Sequence, residues 1–203
     1  MLDSYMRPLI DPALAGAGRA LVRRGVSANA LTLAGLALGV LSAAMIVGGA
    51  MGWALIFLVA SRLCDGLDGA VARVSGKTDF GGYLDITCDF LFYGIFPLAF
   101  VLSDPASNGL AGAFLLTSFY VNGASFLGFA ILAAKQGMET RAQGEKSLYF
   151  SAGLLEGTET ILFFIALCLW PGAFAPLAWI FGALCFATAC ARVLLAWRVF
   201  GRG

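Results

Sequence analysis

The chain has 203 residues, of which 60% are hydrophobic and 12% charged, and its formal net charge is +1. Its mean hydropathy of +0.88 excludes an ordinary soluble domain, in which apolar residues make up roughly 45–50%. No basic stretch is interleaved with aromatic residues, so nucleic-acid binding is also excluded. Apolar segments of roughly 20 residues recur, which is the length that crosses a bilayer core. We therefore predict an all-α integral membrane protein that forms a single domain over residues 1–203.

The N-terminal lead, residues 1–25, alternates apolar residues with arginines. This pattern predicts an amphipathic helix lying in the membrane interface, with a solvent-facing tail as the alternative. Ser27 is expected to N-cap the first membrane span. Six transmembrane helices are predicted after the lead, at about residues 28–47, 53–72, 81–102, 110–133, 148–170 and 177–199. Polar or glycine-rich turns are predicted at 48–52, 103–108 and 171–176.

The lysines and arginines indicate an orientation. They lie on or near the side that holds the lead, the 74–80 and 134–147 loops and the C-terminus, and the three turns on the other side carry none. The positive-inside rule then predicts that both termini are cytoplasmic.

Cysteine and histidine usage removes several kinds of chemistry. The five cysteines lie in apolar segments without C-x-x-C spacing, which argues against a disulfide framework or a zinc site and favours thiols that pack in the core. The chain contains no histidine, so acid–base or nucleophilic chemistry based on histidine is excluded as well.

Four aspartates stand out in the second and third predicted spans. Asp65 and Asp68 are three residues apart, and Asp85 and Asp89 are four apart, so each pair projects from one face of its helix. An ionised carboxylate in a membrane segment is costly, and four that converge would repel one another unless cations lie between them. Oxygen ligands without cysteine or histidine favour Mg²⁺, Mn²⁺ or Ca²⁺ over zinc. The pattern predicts a divalent-metal site; unrelated structural aspartates are the alternative.

Carboxylates that hold two divalent cations at the cytoplasmic edge of a bilayer are suited to phosphoryl-type transfer from a diphosphate. Gly69 allows a close backbone approach to such a substrate, and Ala72 keeps the same face small, although both are also typical of helix–helix packing. Asn29 and Thr32, at the start of the first span, are expected to bind the nucleotide; capping and interhelical hydrogen bonding are the alternative.

The order of these residues forms a longer motif. It reads Asp65-x-x-Asp68-Gly69-x-x-Ala72-Arg73, then seven residues, then Gly81-x-x-x-Asp85-x-x-x-Asp89. This motif resembles the full signature of the CDP-alcohol phosphotransferases, and residues 25–32 are similar to the segment that opens the first membrane helix of that family. The chain looks closest to a bacterial inner-membrane branch of the family.

The resemblance implies an enzyme that displaces CMP from a CDP-linked donor with an alcohol, uses two divalent cations, Mg²⁺ or Mn²⁺, and forms a homodimer. It assigns Asp65, Asp68 and Asp85 as metal ligands, and Asp89 as the last ligand or the general base. By the same resemblance, Gly69, Ala72, Arg73 and Gly81 are expected to bind the nucleotide, and Asn29 and Thr32 join them by their position at the start of the first span. Arg73 reaches either the nucleotide or the lipid headgroups, and Arg62 either pairs with Asp65 or reaches a phosphate.

The acceptor alcohol is expected to contact the fifth and sixth spans. The candidate acceptor-binding residues are Glu156, Glu159, Lys135 and Arg192, of which Arg192 is the expected partner of the two acids. Alternatively, Lys135 and the other basic residues of its loop only set the orientation of the protein in the membrane and bind no substrate. In the family branch that uses inositol phosphate, the place of Glu156–Thr160 reads E-R-P-E-R, but here Gly157 and Thr160 replace the arginines. A neutral or cationic alcohol is therefore favoured, and glycerol phosphate stays open.

These observations predict a Mg²⁺-dependent transfer of a phosphatidyl group from CDP-diacylglycerol to a small polar alcohol, with release of CMP, in phospholipid biosynthesis. The expected location is the bacterial inner membrane, with the active site on the cytoplasmic side. One alternative reverses the substrates, so that a CDP-linked alcohol donates to diacylglycerol. An intramembrane prenyltransferase and a divalent-cation transporter are further alternatives.

Overall fold

A computed structural model describes the backbone of residues 3–137 and 157–201, and within these ranges the side chains from residue 12 onwards. Every regular element in that part of the chain is helical. The helices are α1 (Asp3–Arg23), α2 (Ala28–Val47), α3 (Met51–Ser75), α4 (Asp79–Ser103), α5 (Pro105–Lys135), α6 (Gly157–Leu169) and α7 (Phe174–Phe200), with a 3₁₀ turn at Pro171–Ala173. The predicted all-α class is confirmed.

Helices α2 and α4 both begin at hydroxyl caps. Ser27 Oγ accepts a hydrogen bond from the Ala30 amide at 3.2 Å, which confirms the predicted N-cap of α2. Thr78 Oγ1 accepts one from the Gly81 amide at 3.0 Å and begins α4. Caps of this kind satisfy amide groups that have no partner within the first turn of a helix.

The predicted turns at 103–108 and 171–176 are longer than the turns in the structure, because the following helix begins earlier in each case. Asp104 caps α5, and Pro105 follows at its first position, where the fixed φ of proline suits a helix. The helix therefore begins at Pro105 instead of near residue 110, and Asn108 Nδ2 donates to the Phe100 carbonyl at 2.8 Å. In the second turn only Pro171–Ala173 is non-α, and α7 begins at Phe174.

Among the described residues, four helical segments are long and apolar enough to cross a membrane: Ala28–Val47, Asp79–Ser103, Pro105–Lys135 and Pro171–Phe200. Helix α3 has the length, but its charged side chains (Arg62, Asp65, Asp68, Arg73) break its apolar run. Helix α6 has 13 described residues, and the first part of the fifth predicted span, 148–156, lies outside the described residues. The count of six spans and the interfacial position of α1 stay predictions.

A column of phenylalanines holds α4, α6 and α7 together. Phe92, Phe96 and Phe100 lie one helical turn apart on α4 and are fully or almost fully buried. The Phe96 ring stacks on Phe164 of α6 with centroids 4.4 Å apart, and the Phe100 ring stacks on Phe174 of α7 at 5.1 Å. Ring pairs at these separations add attraction beyond their buried area.

Small residues bring α1 and α2 close to α3, the helix with the first aspartate pair. A Cβ atom added at Gly35 of α2 would lie 3.2 Å from the Ser61 carbonyl oxygen and 3.3 Å from Cys64 Cβ. One added at Gly18 of α1 would lie 3.0 Å from Ala70 of α3. Such contacts let helix backbones approach closely, which is how membrane helices commonly associate.

We expect Gly35→Val to destabilise the fold, because its side chain must displace the backbone of α3. The expected loss is about 1–3 kcal/mol, typical of overpacking. It is measured as a lower apparent melting temperature of the detergent-purified protein.

Gly94→Val is the matched control. An added Cβ there meets nothing within 4 Å, and Gly94 also lies inside a helix. Equal losses at both positions would contradict tight packing at Gly35.

Candidate active site

Helices α3 and α4 bring three of the four motif aspartates together. Asp65, Asp68 and Asp85 each offer a carboxylate oxygen, and these oxygens all lie within 4.8 Å of one another. We call these residues the carboxylate trio. Asp68 is buried, with 5% of its surface exposed, and the other two are half-buried. Helices α3 and α4 are joined through residues 76–78, and Gly76 there has a φ of 100°, which lets the chain reverse tightly.

The trio fits a hard divalent cation. Oxygen ligands on opposite sides of one ion are about 4 Å apart for Mg²⁺ and about 5 Å apart for Ca²⁺, so a spread of up to 4.8 Å needs little adjustment. The donors are all carboxylate oxygens. Mg²⁺ and Mn²⁺ prefer oxygen ligands, whereas zinc sites in proteins usually include histidine nitrogen or cysteine sulfur. The geometry and the donor type therefore agree on the kind of ion.

The fourth aspartate, Asp89, is held by an arginine. Arg62 Nη1 donates to Asp89 Oδ1 at 3.0 Å and lies 3.5 Å from Asp65 Oδ1. Asp89 is not part of the trio in the described structure, so its predicted role as a metal ligand stays a prediction. Of the two expectations for Arg62, the structure supports pairing with Asp65 and adds Asp89, which sequence reasoning missed.

Helix α2 supports the trio through Thr32. Its Oγ1 donates to Asp68 Oδ2 at 2.6 Å, and both side chains are buried. A hydrogen bond to a charged group is stronger than one between neutral groups, and it fixes the orientation of the carboxylate. The alternative of interhelical hydrogen bonding at Thr32 thus matches the structure. Asn29, one turn earlier, lies with Oδ1 3.2 Å from where a Cβ on Gly81 would be.

The small motif residues have different surroundings. Among the described residues, an added Cβ at Gly69 would meet one atom within 4 Å, Arg73 Nη1 at 3.6 Å. Gly69 is therefore not required by helix packing, and Arg73 extends beside it. Gly81 is crowded, since an added Cβ would lie 2.9 Å from Thr78 Oγ1. Ala72 is half-buried.

The structure describes three of the four predicted acceptor residues. Glu156 lies outside the described residues, Glu159 lies in the first turn of α6, and Lys135 is the exposed last residue of α5. Arg192 of α7 donates from Nη1 to Asn122 Oδ1 at 2.9 Å and to Ser125 Oγ at 2.7 Å. The predicted pairing of Arg192 with the two acids stays a prediction.

Sequence reasoning missed Asn122 and Ser125 of α5. The available signal is an amide side chain in the middle of a predicted membrane span, where polar groups are retained for a partner. Its partner, Arg192, is 70 residues away in sequence.

Comparison with known proteins places the chain in a family. The family model for CDP-alcohol phosphatidyltransferases matches residues 25–197. The inner membrane protein YnjF of Escherichia coli K12 is 48% identical over 196 residues, which cover 95% of this chain and 94% of that protein. The archaetidylinositol phosphate synthase of Pyrococcus horikoshii is 36% identical over 89 residues, which cover 43% of this chain and 47% of that protein.

Solved structures agree on the fold. The phosphatidylinositol phosphate synthase of Mycobacterium tuberculosis with CDP-DAG bound is 21% identical and has a TM-score of 0.66, over 91% of this chain and 93% of that one. A structure of the same synthase in complex with manganese and citrate also has a TM-score of 0.66, over 91% and 88% of the two chains.

The family model spans most of the chain, and the alignment with the Escherichia coli protein covers nearly all of it. The chain therefore belongs to the CDP-alcohol phosphatidyltransferase family, as its motif predicts, and is a multi-pass membrane enzyme that transfers substituted phosphate groups.

Proposed function

We propose that the enzyme transfers a phosphatidyl group from CDP-diacylglycerol to a small polar alcohol and releases CMP, as a step of phospholipid biosynthesis. The carboxylate trio, three acidic oxygen ligands within 4.8 Å of one another in an apolar bundle, carries this proposal. The relatives named as inositol phosphate lipid synthases, and the related synthase with CDP-DAG bound, support a CDP-linked lipid as donor.

The trio would hold the divalent cations, Mg²⁺ or Mn²⁺, with two ions as the expected number. The related synthase in complex with manganese supports this assignment. Bound cations neutralise a diphosphate and stabilise the charge that develops on the phosphoryl group during transfer. Thr32 fixes the Asp68 carboxylate on the side of α2, which prepares the trio before any ion arrives.

Asp89 is assigned as the general base. It accepts the proton of the acceptor hydroxyl while the hydroxyl oxygen attacks the phosphorus that bears the diacylglycerol group. The bond from that phosphorus to the oxygen bridging the two phosphates breaks, and CMP leaves with the bridging oxygen. Asp89 stays outside the trio and keeps 29% of its side chain exposed, so a substrate hydroxyl has access to it.

The nucleotide is assigned to the face of α3 that carries Gly69, Ala72 and Arg73. The open space at Gly69 supports this assignment, because packing gives no reason for a glycine there. At the adjoining ends of α4 and α2, three further residues are proposed to bind the nucleotide: Gly81, Asn29 and Thr32.

The acceptor is assigned to the side of α5, α6 and α7. The residues proposed there are Glu156, Glu159, Lys135 and Arg192. The hydrogen bonds from Arg192 to α5 support a fixed guanidinium within an apolar bundle, a placement typical of functional groups.

The setting of the reaction is proposed from the charge pattern and the family. The chain forms one domain with six spans preceded by an interfacial α1, and it works as a homodimer. Both termini and the active site face the cytoplasm in a bacterial inner membrane, because the basic residues gather on that side.

An acceptor screen with CDP-diacylglycerol and Mg²⁺ tests the function. We expect CMP release with at least one acceptor from a panel of polyol phosphates, neutral polyols and amino alcohols, and no release after chelation. Asp89→Asn should lower kcat by about 10²–10⁴-fold, the usual contribution of a general base.

The matched control is Asp79→Asn, an exposed aspartate in the first turn of the same helix, which should keep full activity. Turnover unchanged in Asp89→Asn would remove Asp89 from the role of base. Cation uptake into sealed vesicles without CMP formation would support a transporter instead.

Gly69→Ala separates substrate binding from helix packing. The added methyl group meets only the end of the Arg73 side chain, so the melting temperature should stay the same or rise. If the nucleotide lies against this face, KM for CDP-diacylglycerol should rise about tenfold, or about 1.4 kcal/mol.

The control is Gly82→Ala, at an exposed position where an added Cβ meets nothing within 4 Å. Unchanged KM values in both variants would place the nucleotide elsewhere.

Thr32→Val removes the hydrogen bond to Asp68 and keeps the shape of the side chain. We expect about 10–100-fold weaker Mn²⁺ binding, the usual effect of losing a group that orients a metal ligand. The free Mn²⁺ signal in electron paramagnetic resonance measures this.

Thr32→Ser, which keeps the hydroxyl group, should bind Mn²⁺ within about threefold of the wild type. Equal affinity of the valine and serine variants would show that the hydroxyl does not support the metal site.

A further inference from the structure

Asn122 is an amide in the middle of α5, a helix long and apolar enough to cross a membrane, and the proposed function gives it no role. It is half-buried. Its Oδ1 and its backbone carbonyl both accept hydrogen bonds from Nη1 of Arg192, at 2.9 and 3.0 Å. Polar side chains at such a depth in a membrane bundle are retained for a partner or a function.

The amide group is held in one orientation. A guanidinium only donates hydrogen bonds, so Asn122 must present Oδ1 to Arg192, and its NH₂ group, Nδ2, is turned to another side. Ser125 stabilises this arrangement, since its hydroxyl donates to the Asn122 carbonyl and accepts from Arg192 Nη1, both at 2.7 Å. Hydrogen bonds from a charged donor are strong, so the amide is prevented from flipping. Nδ2 is therefore a hydrogen-bond donor of fixed direction.

The protein uses the oxygen of this amide but not its nitrogen. In the part of the chain that the structure describes, Asn122 Nδ2 donates to no protein atom. Asn108 of the same helix shows the contrasting case, because it is buried and its Nδ2 donates to the Phe100 carbonyl at 2.8 Å. An accessible amide with its oxygen engaged and its nitrogen directed away is suited to bind an oxygen atom of a ligand.

Asn122 lies at the same level of the bundle as Asp89, the proposed general base. Gly123, next to Asn122, packs against the ring of Phe90, next to Asp89, so closely that a Cβ added at Gly123 would clash with that ring. Helices α4 and α5 therefore meet where these two pairs of neighbours lie. The acceptor alcohol must occupy this level of the bundle if its hydroxyl is to reach the base.

An aromatic layer lies one turn away, toward the other end of the bundle. The ring centroid of Phe119 is 6.5 Å from that of Tyr93 on α4, 6.3 Å from that of Phe164 on α6 and 6.1 Å from that of Phe181 on α7. Helices α4 and α5 run in opposite directions, so Asn122 lies on the side of this layer that also carries the motif aspartates.

We propose that Asn122 binds the acceptor alcohol: its Nδ2 group, oriented by Arg192 and Ser125, donates a hydrogen bond to an oxygen atom of that substrate. The chemical class that fits is a polyol or a polyol phosphate, since hydroxyl and phosphate oxygens both accept hydrogen bonds. The inference rests on the proposed function and adds a residue that determines which alcohol is used.

The experiment uses Asn122→Asp in the full chain, reconstituted in lipid nanodiscs. Aspartate keeps the shape and an oxygen for Arg192 but loses the NH₂ donor. The apparent melting temperature should therefore stay the same or rise. KM for the acceptor alcohol should rise at least about tenfold, because a substrate oxygen loses its donor, while KM for CDP-diacylglycerol stays within about threefold.

Five probes are titrated as acceptor alcohols, with CMP release as the readout: glycerol, inositol, glycerol phosphate, inositol phosphate and ethanolamine. A raised KM for a polyol and for its phosphate alike would show that Nδ2 binds a hydroxyl oxygen. A raised KM for the phosphates alone would show that it binds a phosphate oxygen. Both results support the inference.

Asn108→Asp is the matched control on the same helix. Its NH₂ donor binds a protein carbonyl instead of a ligand, so the same change should lower the melting temperature and leave both KM values within about threefold of the wild type. The two variants are thus expected to give opposite patterns, which a merely structural role for Asn122 would not produce.

Two results would overturn the inference. One is a KM for the acceptor alcohol that stays within about threefold of the wild type in folded Asn122→Asp. The other is a lower KM, which would mean that the substrate presents a donor or a cation at this position. If Asn122→Asp does not fold, Asn122→Ala is judged by the same criteria.

Failure of the proposed function is separate, since it shows as absent CMP release in the wild type with every probe. Binding is then read from the rise in melting temperature that each probe causes. A rise in the wild type that is lost in Asn122→Asp would still support the inference, and no rise with any probe in the wild type would overturn it.

Discussion

Mutual repulsion among the carboxylates of the trio is the constraint on which the site depends. Two unit charges 4.8 Å apart repel by about 3 kcal/mol at an effective dielectric constant of 20. Three such pairs are comparable with the whole stability of a typical domain, about 5–15 kcal/mol. Carboxylates this close stay ionised together only with compensating cations, and without cations they take up protons. Arg62 supplies one such charge from within the chain, and divalent ions are suited to supply the rest.

The packing of small residues places the carboxylates at one level. Gly35 brings α2 against α3, and this close approach lets the Thr32 hydroxyl reach across to Asp68. Gly18 brings α1 against the same helix at Ala70, two residues beyond Asp68. A larger residue at Gly35 would separate α2 from α3 and lengthen a hydrogen bond that is now 2.6 Å. The geometry of the ion site is thus a property of the helix interfaces as much as of the aspartates.

The sequence predicts what local spacing determines and misses what tertiary contacts determine. The bounds of α2 and its Ser27 cap are predicted correctly, because hydrophobic length and a capping hydroxyl are local signals. The start of α5 is missed because the segment from Asp104 to Asn108 looks like a polar turn, while Asp104 and Pro105 in fact open the helix.

Contacts between distant residues have no local signal. The hydrogen bond from Arg62 to Asp89 joins residues 27 apart in sequence, and the one from Arg192 to Asn122 joins residues 70 apart. Helical periodicity assigns each of these side chains to a face of its own helix but not to a partner on another. The convergence of Asp65, Asp68 and Asp85 was predictable because a short connection joins the two helices that carry them.

Phe92 connects the aromatic column to the chemistry. One face of its ring supports the Arg62 guanidinium, and its neighbours Phe96 and Phe164 lie 5.6 and 5.7 Å away between centroids. Interiors packed in this way have few alternative rotamers, so the ring has little freedom to move. The position of Arg62 is then set by the core and not by the flexible end of a long side chain. Because Arg62 in turn contacts Asp89, the packing of α4 against α6 reaches the predicted base through two contacts, Phe92 to Arg62 and Arg62 to Asp89.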